Sequence, residues 1–171
     1  MVSEKKQKVI EVLNKARSME LQAIHQYMNQ HYGLDDMDFG ELAGNIKLIA
    51  IDEMKHAEAF AERVKELGGE PTTELAGKIV KAQGVKEIFP FDVKEEENAI
   101  EVYNQFLKVC HENGDSISAK LFEGIIDDEQ EHANYFDNTS NHIETLGETY
   151  LARMAGTSAD TGPASKGFIN K

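Results

Sequence analysis

The sequence predicts an all-α protein: a four-helix bundle with one long connection between its second and third helices and a short fifth helix at the C-terminal end. Three observations predict it. Four segments carry apolar residues at spacings of three and four, the signature of one buried helix face. Short links join the first segment to the second and the third to the fourth, whereas about two dozen residues separate the second from the third. Finally, one chemical pattern occurs twice: Glu20, Glu53 and His56 recur as Glu96, Glu129 and His132, each 76 positions on (96−20, 129−53, 132−56).

The first segment, 4–32, shows the stripe Val9, Leu13, Ala16, Glu20, Ile24, Tyr27, with Gly33 as its stop. The second, 39–67, shows Ile46, Ile49, Glu53, His56, Phe60 and Val64; Asp38 and Glu41 read as its capping box and Gly68-Gly69 as its end. At 1.5 Å per residue it is roughly 44 Å long. The connection 68–91 holds Pro71, Gly77, Gly84 and Pro90, and is long enough to run that distance and start a third helix parallel to the second. The third segment, 93–113, opens on a capping box of Asp92 and Glu95 and shows Glu96, Ala99, Tyr103, Phe106 and Cys110. Gly114-Asp115 ends it and caps the fourth, 116–143, with Phe122, Ile125, Glu129, His132 and Phe136. Residues 146–155 suit a short fifth helix. The domain is expected to span 1–155, followed by a flexible tail, 156–171, rich in Gly, Ser, Thr and Ala.

Composition narrows the function classes. A formal net charge of −13 argues against nucleic acid, whose phosphates would be repelled. There is no apolar run of about 18 residues, hence no expected membrane span, and no apolar stretch of the signal-peptide kind. The single Cys110 cannot form an internal disulfide. Together these place the protein in the cytoplasm, an expectation from sequence.

Most of the 31 acidic residues belong to solvated faces. Glu20, Glu53, Glu96 and Glu129 do not, because each interrupts an apolar stripe, where a lone carboxylate is costly. A Glu three residues before a His is weak evidence by itself, since Glu supplies 21 of 171 residues. The joint pattern is stronger: stripe position, a partner Glu 33 residues upstream in both halves, and the shared offset. Two divalent cations bring +4 against −4 from four carboxylates, and neutral His56 and His132 complete a donor set suited to iron or manganese. Tyr27, two turns after Glu20, reads either as a core Tyr or as a hydrogen-bonding neighbour of a ligating carboxylate, and Tyr103 repeats the spacing after Glu96. Met54 points about 100° from Glu53 along the helix surface, away from the metal pair. It reads either as an ordinary packing Met or as a thioether that meets its symmetry mate across a twofold axis to ligate one haem iron.

Met19-Glu20-Leu21, Ala23-Ile24-His25-Gln26-Tyr27, Ile51-Asp52-Glu53-Met54-Lys55-His56-Ala57-Glu58 and Asp127-Asp128-Glu129-Gln130-Glu131-His132 resemble the bacterioferritins over about residues 5–155. The resemblance implies a ferritin-like bundle assembled as a hollow shell of 24 subunits built from twofold dimers. It implies Glu20 and His56 on one iron, Glu96 and His132 on the other, Glu53 and Glu129 bridging both, and Tyr27 beside the site. It makes Met54 the axial ligand of a haem shared between two subunits, either protohaem or iron-coproporphyrin. The implied activity is a ferroxidase that oxidises Fe²⁺ with O₂ or H₂O₂ and stores the ferric mineral. Haem would assist reductive release, fed by a small ferredoxin or rubredoxin-type donor. One departure stands out: some relatives carry a His five residues before the first bridging Glu, and here that residue is Leu48. Two other readings compete. A di-iron peroxidase of the rubrerythrin type, or a di-manganese catalase, would use similar ligands, but a single Cys excludes the added Cys-x-x-Cys module of rubrerythrins. A DNA-protecting shell is disfavoured by the charge.

Overall fold

A computed structural model describes residues 2–163 and 166–169. It contains α1 (Glu4–Asp36), α2 (Gly40–Glu66), α3 (Val85–Glu112), α4 (Ser116–Leu146) and α5 (Glu148–Met154). α1 packs on α2 and α3 on α4, and the two hairpins pack on each other through α1·α3 and α2·α4. Contacts fix the directions. Tyr27 meets Glu96 and Tyr103 meets Glu20, so α1 and α3 are antiparallel. His31 meets Ala43 and Arg17 meets Ala57, so α1 and α2 are antiparallel too. α2 and α3 therefore run parallel, as the long connection requires.

Three helices end in the same way, with a residue of positive φ that lets two amides turn back onto the last carbonyls. Gly68 (φ 87°) closes α2 and Gly114 (φ 75°) closes α3. At α1 this residue is Asp38 (φ 66°), with Asp38 N–H on the Asp35 carbonyl and Phe39 N–H on the Leu34 carbonyl, at 3.0 and 2.9 Å. This overturns two sequence expectations. α1 runs through Gly33 to Asp36, and Asp38 ends α1 instead of capping α2, whose N-cap residue Phe39 makes no side-chain bond and whose Glu41 N–H is capped by the Thr157 hydroxyl at 2.8 Å. α3 likewise starts at Val85, eight residues before the expected 93. The carboxylate of Glu87 accepts the Gly84 N–H at 2.7 Å, and Pro90 gives up only its bond to the Lys86 carbonyl in the second turn. Asp92 lies inside this helix, fully buried.

The crossover is thereby shortened to about 67–84, and polar side chains of α1 hold it down. Asn14 binds Glu70 and Thr72, Arg17 binds the Thr72 carbonyl, and Gln26 binds the Val80 N–H and carbonyl. At the far end Asp115 caps α4 as expected, accepting from Ser118 N–H at 2.9 Å and taking a two-pronged pair from Arg63 of α2. Beside it, burial pushes the Cys110 thiol up to about 12, with Asp115 adding to the shift, so this Cys is an inert core residue.

Two apolar clusters lie at opposite ends of the bundle, around Leu13, Phe60 and Phe122 and around Leu34, Ile46 and Phe136. The polar layer between them is the metal centre described below. No helix among the described residues is long and apolar enough to cross a membrane. The described residues beyond α5 make contacts with the bundle. Thr157 bridges to Phe39, and Phe168 and Ile169 hydrogen-bond to Leu48 and Asp52 on α2. The final residues, 170–171, lie outside the described residues.

Candidate metal centre

All six ligand candidates converge, one each from α1 and α3 and two each from α2 and α4, and each is buried. Two overlapping quartets result: Glu20, Glu53, His56 and Glu129, and Glu53, Glu96, Glu129 and His132. Within each quartet one donor atom per residue lies within 4.8 Å of the others. A cation bonded at about 2.1 Å holds its donors up to about 4.2 Å apart, so each quartet is close to closed around one ion. Glu53 and Glu129 belong to both and are positioned as bridges. The Nδ1 atom of His56 is 2.9 Å from Glu53 and 3.4 Å from Glu129; that of His132 is 3.0 Å from Glu129 and 3.2 Å from Glu53. Glu53 Oε1 is buried without a hydrogen-bond donor, an orphaned acceptor that a cation would satisfy.

Supports cross between the halves. Tyr27 donates to Glu96 and Tyr103 donates to Glu20, both at 2.5 Å. The sequence led to Tyr27 as a neighbour of a ligand, and the partner turns out to be the carboxylate of the opposite half. The imidazoles follow the same rule. His56 Nε2 lies 3.2 Å from Asp128 and His132 Nε2 lies 3.4 Å from Asp52. With Nε2–H donated to a carboxylate, the Nδ1 lone pair is left facing the ligand cluster. Asp52 and Asp128 were not singled out from sequence. They are detectable there as the Asp preceding Glu53 and Glu129, again 76 positions apart (128−52).

Burial and mutual repulsion shift the titration of these groups. Glu20 and Glu96 have pKa values raised well above the carboxylate range, by burial first and then by Glu129 and Glu53. His56 and His132 are also raised: burial opposes this, but the carboxylates around them prevail. Glu129 is held low despite burial, because both imidazoles face it. Protons taken up by these groups lower the net charge of the cluster, and two divalent ions bound among them would displace those protons.

A cavity of about 330 Å³ opens between α1 and α3 beneath Ala76 and Gly77 of the crossover and is lined by Glu20, Glu53, Glu96 and Glu129. It gives small solutes a path to these carboxylates. Met54 lies on the outer surface of α2, 50% exposed and directed away from the centre.

Residues 10–146 match the model of the ferritin-like domain family. A bacterioferritin of Desulfovibrio desulfuricans is 64% identical over 166 residues, covering 97% of this chain and 93% of that protein. This chain belongs to the bacterioferritins. An X-ray structure of the Desulfovibrio desulfuricans bacterioferritin, from a study of its di-iron site in different catalytic states, matches with a TM-score of 0.93 at 65% identity over 96% of both chains. A more distant member of the family, Mycobacterium tuberculosis BfrA, matches with a TM-score of 0.82 at 32% identity, over 86% of this chain and 93% of that one. Family membership and the two overlapping quartets agree on a two-metal site at the waist of the bundle.

Proposed function

We propose that this chain is an iron-storage ferroxidase that oxidises Fe²⁺ at the paired quartets and deposits Fe³⁺ inside a hollow shell of 24 subunits built from twofold dimers. The observation that carries the reading is the sharing of Glu53 and Glu129 between the two quartets. Two buried carboxylates common to both sites hold two ions close enough to be oxidised as a pair. Two Fe²⁺ give up two electrons, reducing O₂ and two protons to H₂O₂, or H₂O₂ and two protons to two waters. Glu20 and His56 are terminal ligands of one ion, and Glu96 and His132 of the other. Tyr27 and Tyr103 fix the terminal carboxylates, while Asp52 and Asp128 fix the imidazoles. Protons held by Glu20, Glu96 and the two His leave as Fe²⁺ binds. The cavity under Ala76 and Gly77 admits Fe²⁺ and oxidant, and the excess of acidic groups draws cations in.

A haem would be held at the outer surface by Met54. The half-exposed thioether is free to meet its symmetry mate at a twofold axis. Bound there, the haem supplies one-electron transfer, and a small ferredoxin or rubredoxin-type protein in the cytoplasm is the donor that would reduce the mineral. The porphyrin is protohaem or iron-coproporphyrin.

Stopped-flow oxidation of Fe²⁺ tests the centre. The wild-type chain should show a fast phase that saturates at about two Fe per chain. Glu20→Ala and Glu129→Ala should each slow it by more than about tenfold while the shell still assembles. Wild-type kinetics in either variant would refute the site.

A further inference from the structure

The flanks of the centre are unlike each other. On the α1/α3 flank a cavity reaches the carboxylates. On the α2/α4 flank the chain's own C-terminal segment lies across the outside. Phe168 N–H donates to the Leu48 carbonyl at 3.1 Å, and Ile169 N–H donates to Asp52 Oδ2 at 2.9 Å. The Phe168 ring packs against Tyr135, with centroids 5.0 Å apart, and edge-on against His132 at 6.1 Å. Gly167 is buried so tightly against α2 that a Cβ there would sit 1.7 Å from Asp52 Oδ1.

We propose that Lys166–Ile169 is a retaining strap: through Asp52 and the Phe168 ring it positions His132 and keeps the cation of the Glu96–His132 quartet from leaving on the α2/α4 flank. The inference rests on the two-metal reading of the site. Asp52 is the joint of the device. Its Oδ1 faces Lys55 at 3.3 Å, and its Oδ2 is shared between Ile169 N–H and His132 Nε2. Two backbone hydrogen bonds and one ring therefore set the orientation of an imidazole whose Nδ1 is a candidate ligand. His132 is wholly excluded from solvent beneath them. The strap belongs to a segment in which the described residues beyond Met154 form no helix or strand apart from the bridge at Thr157, so it can lift without disturbing the bundle. Strap closed, the ion is kept as a resident cofactor; strap open, the ion passes on. The strapped half is the one that holds His132, so the two cations of one chain should differ in their hold.

Cobalt(II) reads this without turnover. Metal-free assembled protein is loaded anaerobically with two Co²⁺ per chain, followed by its visible bands, and then challenged with excess EDTA. Two variants are compared with the full chain: Gly167→Val, whose side chain cannot fit beside Asp52, and a chain ending at Pro163. In both, one Co²⁺ per chain should leave at least tenfold faster while the other leaves at the full-chain rate. Equal rates in full chain and variants, or equal acceleration of both ions, would overturn the strap. Gly167→Val keeps the full length and decides the matter if the shortened chain does not assemble. If the full chain never binds two Co²⁺, the two-metal reading itself fails, and the strap with it.

Discussion

Asp92→Asn should stabilise the metal-free protein, and by more as the pH rises. Asp92 is completely buried in α3, one turn before Glu96. Its Oδ1 accepts from Gln30 Nε2 at 2.8 Å, while its Oδ2 and the Gln30 Oε1 are both buried acceptors without a donor. Burial raises its pKa well above the usual carboxylate range; the Gln30 bond works against that shift and Glu95 adds to it. A group whose folded pKa is raised stabilises the fold below its unfolded pKa, about 3.9 for Asp, and loses that contribution as pH climbs towards the folded value. Stability therefore falls by about 1.4 kcal/mol per pH unit across that window. Asn carries no such term and brings an N–H₂ donor to a pair short of donors, each missing hydrogen bond costing about 1–3 kcal/mol. Urea unfolding of metal-free protein at several pH values measures the difference. The variant's advantage should be smallest near pH 4 and widen upward. A variant less stable than wild type at pH 7, or a difference that ignores pH, would refute the reasoning.

Two further outcomes are expected. Asp115→Ala removes the cap of α4 and the partner of Arg63, at a combined cost of about 2–4 kcal/mol from a lost cap and lost charge-assisted bonds. Burial disfavours the Asp115 anion, but its bonds to Ser118 and Arg63 win and lower its pKa, so its contribution is present above the unfolded pKa and lost as pH falls through the folded one. The urea midpoint should drop at pH 7 and converge with wild type in acid; a constant gap would contradict this. Met54→Leu should give assembled shells with intact Fe²⁺ oxidation and no haem absorbance; a normal haem spectrum would remove Met54 as the axial ligand.

The centre was legible in the sequence because its ligands break apolar stripes at helical spacing and do so twice. A Glu among Ile and Phe on a helix face has few structural reasons to be there. The helix starts were harder to read. Asp38-x-x-Glu41 and Asp92-x-x-Glu95 have capping-box spacing, but Asp38 is spent closing α1 and Asp92 faces Gln30 inside α3. Pro90 looked like a boundary, yet near a helix start a proline gives up little. The crossed pairings of Tyr27 with Glu96 and Tyr103 with Glu20 depend on how the hairpins meet, which no one-helix pattern encodes. The strap was hidden for a related reason: Phe168 stands alone after a Gly- and Ser-rich stretch, and only the fold shows that it lands on Tyr135 and His132.

Crossed support has a mechanical meaning. Each hairpin supplies half of the ligands but braces the other hairpin's half. Any motion that spreads the hairpins loosens the Tyr27–Glu96, Tyr103–Glu20, His56–Asp128 and His132–Asp52 links together. Spreading the hairpins therefore loosens both ions together, whereas a disturbance confined to one imidazole and its brace, such as His132 and Asp52, acts on one ion. A lone hairpin would have ligands but no braces. Two hairpins of this design, face to face about a twofold axis, would already have both.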